Sequence, residues 1–219
     1  MIRAMTEVAR DGWSALTPAQ ERRFDEGVAR AERFFIGTSR VQQAMRKLCA
    51  ALEADGIPYA VAGAMALNAH GCERVTSDIA LLLTRQGLEA FKQRHLGLGY
   101  LERFPGSKGL RDTEHNVSID VLIAGDYPGD GKPKPVRFPD PSIAAQEHGL
   151  RVLPLKDLVE LKLASGLSAE HRGKDLVDVQ ELIRIVDLPL ALAESLDASV
   201  RDEYRRRWEF AQLAKRDEY

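Results

Sequence analysis

The chain has 219 residues, enough to bury one sizeable core or two small ones. With 44% hydrophobic and 29% charged residues, and no apolar run near the roughly 20 residues that span a bilayer, the composition reads as an ordinary soluble protein and excludes membrane insertion. A formal net charge of -2 removes bulk charge as an argument for nucleic-acid binding, so such a partner would have to be met by a local patch.

Cys49 and Cys72 each sit in an apolar segment and read as reduced core thiols rather than a bridge or a zinc pair. The opening residues MIRAMTEVARDGW lack an apolar signal region and a small-residue cleavage site, so the expected location is the cytoplasm.

Along the chain, Thr17-Pro18 reads as the cap and first residue of a helix over 18–35. From Ser39, Val41, Met45, Leu48 and Leu52 repeat at the amphipathic helical period until Asp55-Gly56. A strand over 57–62 follows, then a Gly63-Ala64 turn and a short helix over 65–70 closed by Gly71. Asp78 leads into an apolar strand over 79–83, and Thr84 caps a helix running to the glycines at 97 and 99. Strands are predicted over 100–104 and 117–123, with a turn region over 105–113 between them. In the second of these strands Val117, Ile119, Val121 and Ile123 share one face and Asp120 stands on the other.

Residues 124–141, AGDYPGDGKPKPVRFPDP, carry too many glycines and prolines for a helix or central strand. They read as an ordered loop that packs down through Tyr127, Val136 and Phe138. Helices are predicted over 155–165, 174–186 and 188–199, with a charged, solvated helix over 200–219. Strands in the middle flanked by helices point to an α+β fold with a small mixed sheet. The division is an N-terminal helical segment at 1–38, a core at 39–153 and a C-terminal helical region at 154–219.

Four pieces follow in order: the Gly63-Ala64 turn; Arg74-x-Thr76-x-Asp78-x-Ala80 leading into a strand; Asp120 in a later strand; and Lys162 with Arg172, Lys174, Asp175 and Asp178 on two C-terminal helices. Each alone is weak. From the residues themselves, Asp78 could merely begin a strand, Asp120 could face solvent at a sheet edge and Arg74 could make a structural salt bridge. Lys162, beside Leu161 and Leu163, must snorkel or meet an anion, and Asp175 and Asp178 could belong to a surface ion-pair network.

Taken in order, with AVAGAMALNAHG just before RVTSDIALLL, these pieces resemble the nucleotidyltransferase superfamily of the polymerase-beta type over residues 40–186. The nearest resemblance is to the minimal-nucleotidyltransferase group that includes the AbiEii-like toxins of bacterial toxin-antitoxin systems. It implies transfer of an NMP from an NTP to a hydroxyl acceptor, dependent on Mg²⁺ or Mn²⁺, with tRNA or another RNA as acceptor, an antitoxin protein as partner and no membrane. Two metal ions about 4 Å apart can clamp the charge that builds on the attacking and leaving oxygens. Carboxylates suit such hard cations, and residues 78 and 80 share a strand face about 7 Å apart.

By the resemblance, Asp78 and Asp120 are metal ligands and, with Lys162 and Asp175, catalytic. Gly63, Ala64, Arg74, Thr76, Lys162 and Asp178 bind nucleotide. Ala80 stands where the family has its second Asp, and Ala64 where it has Gly or Ser. For Ala80 three origins stay open: a naturally degenerate member, an engineered replacement, or a site that borrows a ligand from elsewhere. The alternative function is a catalytically inactive nucleotide-binding or regulatory module of the same fold. If the strands over 79–83 and 117–123 are neighbours, Asp78, Ala80 and Asp120 should converge on one cavity, with the Gly63 turn as its floor and Lys162 on its wall.

The remaining candidates read as structural. His70 ends a short apolar helix and reads as a packing residue, while His95, His115, His148 and His171 lack metal-ligand spacing. GDYPGDG lacks the lysine and the strand-to-helix setting of a phosphate loop.

Overall fold

A computed structural model describes residues 39–217 without a break, together with residues 22, 23, 25–29, 31 and 37. Of the helix predicted over 18–35, residues 22, 23, 25–29 and 31 are helical, and the remainder lies outside the described residues.

Helix α1 (Arg40–Ala54) begins with a capping box. The Gln42 amide donates to the Ser39 hydroxyl at 3.3 Å and the Ser39 amide donates to the Gln42 side chain at 3.3 Å. Its stripe of Val41, Met45, Leu48, Cys49 and Leu52 is buried. Cys49 and Cys72 are both free, and burial pushes each thiol up to about 11.

The strands are β1 (Tyr59–Ala62), β2 (Asp78–Leu83), β3 (Tyr100–Glu102), β4 (Leu110–Asp112), β5 (Val117–Ile123), β6 (Ala145–Glu147) and β7 (Leu150–Val152). They form one mixed sheet in the order β3-β4-β5-β2-β1-β7-β6, in which β2 runs parallel to β5 and antiparallel to β1. Helices α2 (Gly63–Ala69) and α3 (Arg85–His95) follow β1 and β2, and α4 (Leu155–Gly166), α5 (Gly173–Val186) and α6 (Ala198–Asp217) pack together after the last strand. Among the described residues no helix is long and apolar enough to cross a membrane.

The α+β expectation with a mixed sheet holds, with three strands more than the sequence reading proposed. Strand β4 occupies the predicted turn region, and β6 and β7 form a hairpin beyond the loop. His148 at φ 49° and Gly149 at φ 78° make its two-residue turn, the left-handed pair that a tight hairpin requires. Strand β7 pairs in parallel with β1 through Val61 and Val152. The helix predicted over 188–199 breaks in two, a 3-10 turn at Leu190–Ser195 and the start of α6. Asp197 accepts hydrogen bonds from both the amide and the hydroxyl of Ser199, capping a new helix where the sequence suggested continuity. His70 packs as expected, donating to the Leu153 carbonyl at 2.8 Å.

The turn from β1 into α2 is the tightest point of the sheet. Gly63 has φ +61°, and a Cβ built on it would lie 2.9 Å from the Cβ of Ala80 on the neighbouring strand. Glycine thus meets a conformational and a steric demand at once. Replacing Gly63 with Ala is expected to cost about 1–3 kcal/mol in urea denaturation. Ala80→Gly in the same chain should recover the steric part and leave the backbone strain; a Gly63→Ala protein as stable as the parent would contradict this account.

Candidate active site

The face of the sheet opposite α1 borders a cleft of about 760 Å³. Its floor follows from strand register. Ala62, Ala80 and Asp120 lie in one row across β1, β2 and β5, and Asp78 pairs with Ser118 one step back. Since alternate residues share a face, Asp78 and Asp120 are diagonal neighbours, with Cα atoms roughly 7–8 Å apart. Gly63, Asp78, Ala80 and Asp120 all line the cleft, with Lys162 and Asp175 on its wall.

The two floor carboxylates differ in what they touch. Asp78 accepts a hydrogen bond from the Thr76 hydroxyl at 2.5 Å, and among the described residues no basic side chain pairs with it. Asp120 is ion-paired with Arg103, which reaches over from the turn after β3. The side chains of Arg103 and Asp120 are 39% and 45% exposed.

On the wall, the anions that Lys162 meets belong to the chain itself. Its ammonium lies 2.7 Å from Asp178 and 3.0 Å from Asp175, and it is only 9% exposed. The other oxygen of Asp178, itself 5% exposed, is ion-paired with Arg74. Asp175 also accepts from the Ser165 hydroxyl at 2.6 Å, and Arg172 donates to that hydroxyl at 3.2 Å. A chain of charges thereby joins the segment before β2 to α4 and α5.

Four of the expected nucleotide-binding residues stand outside the cleft lining. Arg74 is committed to Asp178, and Asp178 is buried between Arg74 and Lys162. Thr76 spends its hydroxyl on Asp78, and Ala64 sits within α2. A triphosphate clamp at Arg74 would leave the buried Asp178 with one cation fewer.

The cleft gains residues that the sequence reading did not single out. Arg103 and Lys108 line it, alongside Arg172 of the C-terminal set already named. The loop over 124–141 is ordered as expected and forms one rim, with Tyr127 and Phe138 on the cleft and Val136 buried. It closes on itself through Gly125 N–H to the Phe138 carbonyl at 2.8 Å and Phe138 N–H to the Asp126 carbonyl at 2.9 Å. Gly129, at φ +77°, lies so close to Ser168 that any Cβ there would fall 2.1 Å from the Ser168 hydroxyl, which pins the loop to the end of α4. Only the loop's Gly and Pro content signalled a functional rim; nothing in the local pattern marked Arg103.

Two carboxylates with a vacant third position bear on metal binding. Mg²⁺ is commonly held by one or two carboxylates together with substrate phosphates. Asp78, facing the cleft without a cation, fits one such ion, with Asp120 as a second ligand, whereas a two-ion set is a carboxylate short at Ala80. Among the described residues the cluster of three potential ligands is Asp112, Glu114 and His115, which lies outside the cleft lining. Asp112 is already taken by Lys47 at 2.6 Å and His115 at 2.7 Å. Burial would raise its carboxyl, yet hydrogen bonds from these two groups hold it below the usual range.

The wall predicts its own stability signature. Lys162→Met strands two carboxylates and is expected to cost about 3–5 kcal/mol in denaturant unfolding. Adding Asp178→Asn should cost clearly less than the sum of the two single changes, because both groups share one network. Additive, small losses would show that the ion cluster carries no structural weight.

No family profile matches the chain, and no characterised protein matches it by sequence. Solved structures do match. The crystal structure of ANT(2")-Ia in complex with adenylyl-2"-tobramycin aligns with a TM-score of 0.50 at 14% identity, over 76% of this chain and 97% of that one. The solution structure of the antibiotic-resistance factor ANT(2'')-Ia aligns over 80% and 94% at 13% identity, with a TM-score of 0.44. By the first of these, an aminoglycoside nucleotidyltransferase, the chain has the nucleotidyltransferase fold.

Proposed function

We propose that the chain binds a nucleoside triphosphate with a divalent cation in this cleft, and that it transfers the NMP to a hydroxyl acceptor at a rate held down by Ala80. The observation that carries this is the register of β2 with β5, which sets Asp78, Ala80 and Asp120 on one face beside the Gly63 turn. In the reaction the acceptor oxygen bonds to the α-phosphorus as the bond to the β-phosphate oxygen breaks. Pyrophosphate leaves, and the hydroxyl proton passes to a carboxylate, a role this proposal gives to Asp120.

Asp78 and Asp120 would hold Mg²⁺ or Mn²⁺, which when bound supplies charge neutralisation at the reacting phosphate. Lys162, oriented by Asp175 and Asp178, borders the cleft as a fixed positive wall. The sheet-bearing core at 39–153 carries the carboxylates, and the helical region at 154–219 carries the wall. Nucleoside triphosphates are cytoplasmic substrates, and a cytoplasmic place of action is part of this proposal.

Two acceptor classes follow from different sources. The adenylyl-2"-tobramycin bound to the fold neighbour favours a small hydroxyl-bearing molecule. The resemblance to AbiEii-like toxins favours tRNA or another RNA, with an antitoxin as partner. A second function, a nucleotide-binding module without turnover, is favoured by Ala80 together with the Arg103 that already neutralises Asp120.

The test is incorporation from labelled NTPs into total tRNA, into the protein itself and into aminoglycosides, with the Ala80 protein and its Ala80→Asp variant side by side. The restored carboxylate is expected to speed transfer at least about 10-fold, the low end of what changes around metal ligands cost. Equal rates well above background would remove position 80 from the site. Thermal stabilisation by NTP and Mg²⁺ with no incorporation by either protein would favour the binding module.

A further inference from the structure

We infer that Arg103 is an exchangeable cation of the cleft: it guards Asp120 until a divalent ion takes that carboxylate, and then turns its guanidinium to the triphosphate. This deepens the nucleotide-binding proposal and rests on it.

Charge and burial separate the cations that can serve an incoming anion from those that cannot. Lys162 sits between two carboxylates and Arg74 holds the buried Asp178, so moving either toward a ligand would strand buried charge. The pair formed by Arg103 and Asp120 is partly exposed on both sides, the kind of contact that contributes little and breaks readily. One terminal nitrogen of Arg103 meets one oxygen of Asp120. Arginine has five donors, and its planar fork matches phosphate oxygens.

The backbone beneath favours this role. Arg103 N–H donates to the Gly109 carbonyl at 3.1 Å, closing the turn between β3 and β4. The Arg103 side chain then lies across Gly109, where a Cβ would stand 3.1 Å from Cδ and 3.2 Å from Nε. Glycine at 109 leaves the path over which Arg103 reaches the cleft. The same turn presents Lys108, whose only ion-pair contact among the described residues is a long 3.6 Å approach to the half-buried Asp126. Two loosely held cations therefore face the cleft from one turn, opposite the fixed charges of α4 and α5.

Two binding effects of opposite sign follow. Arg103 competes with a divalent ion for Asp120, so removing it should tighten binding of the ion alone. It also contributes a charged contact to the triphosphate, so removing it should weaken nucleotide binding. A purely structural arginine would not move the two in opposite directions.

The experiment uses the full chain and its Arg103→Ala and Arg103→Gln variants, with Arg111→Ala as a control outside the cleft lining. Free Mn²⁺ is followed by electron paramagnetic resonance without nucleotide. Binding of an equimolar mixture of ATP, GTP, CTP and UTP at saturating Mn²⁺ is followed by thermal shift. Both Arg103 variants are expected to bind Mn²⁺ alone about two- to five-fold tighter and the nucleotides roughly 10-fold weaker. Arg103→Gln keeps most of the side chain's volume should the alanine variant fold poorly. If the parent binds nucleotide and the variants match it in either measurement, or lose both affinities together, the exchange role of Arg103 is wrong while the binding proposal stands. A parent that binds no nucleotide overturns both.

Discussion

The floor of the cleft takes its geometry from the parallel pairing of β2 with β5. Both strands bury one face in the core, Ile79 and Leu81 on β2 and Val117, Ile119, Val121 and Ile123 on β5. A slip of one residue in either strand would turn these side chains outward and drive Asp120 into the apolar layer, so the register is strongly specified. With it set, Ala80 faces Asp120 across the strand gap and Asp78 stands one step away. The antiparallel partner β1 delivers Gly63 next to Ala80, at a contact that leaves no room for a side chain on residue 63.

Around this floor the charges divide by burial. Arg74, Asp178, Lys162 and Asp175 form a mostly buried cluster tying the segment before β2 to α4 and α5. Its desolvation cost is repaid by mutual attraction only while every member is present. That makes it a device for holding the cleft's shape. Arg103, Asp120 and Lys108 are more exposed and lightly paired, which is what the proposed exchange at Arg103 requires. In the proposed function the chemistry falls to Asp78 and this lightly paired set, and the geometry to the buried one.

Much of this was legible in the residues. The period of α1, the strict alternation of β5, the lone acid on its polar face and the turn at Gly63 are local patterns, and each stands in the structure where the pattern placed it. What escaped was set by tertiary pairing. Strands β4, β6 and β7 have three residues each, too few for a period to show, and exist because neighbours supply their hydrogen bonds. Arg74 sits in the expected motif, yet its partner lies 104 positions away. Nor does any spacing link Arg103 to Asp120, because the turn that joins them takes its shape from Gly106 and Gly109 and the strands on either side.

The most direct measurement is a crystal structure of the full chain with Mn²⁺ and a non-hydrolysable nucleoside triphosphate analogue, the ion located by its anomalous signal. The account predicts Mn²⁺ between Asp78 and Asp120, with the triphosphate beside the Gly63 turn. Nucleotide bound away from the cleft, or Mn²⁺ seated at Asp112, Glu114 and His115 with none at Asp78, would contradict it.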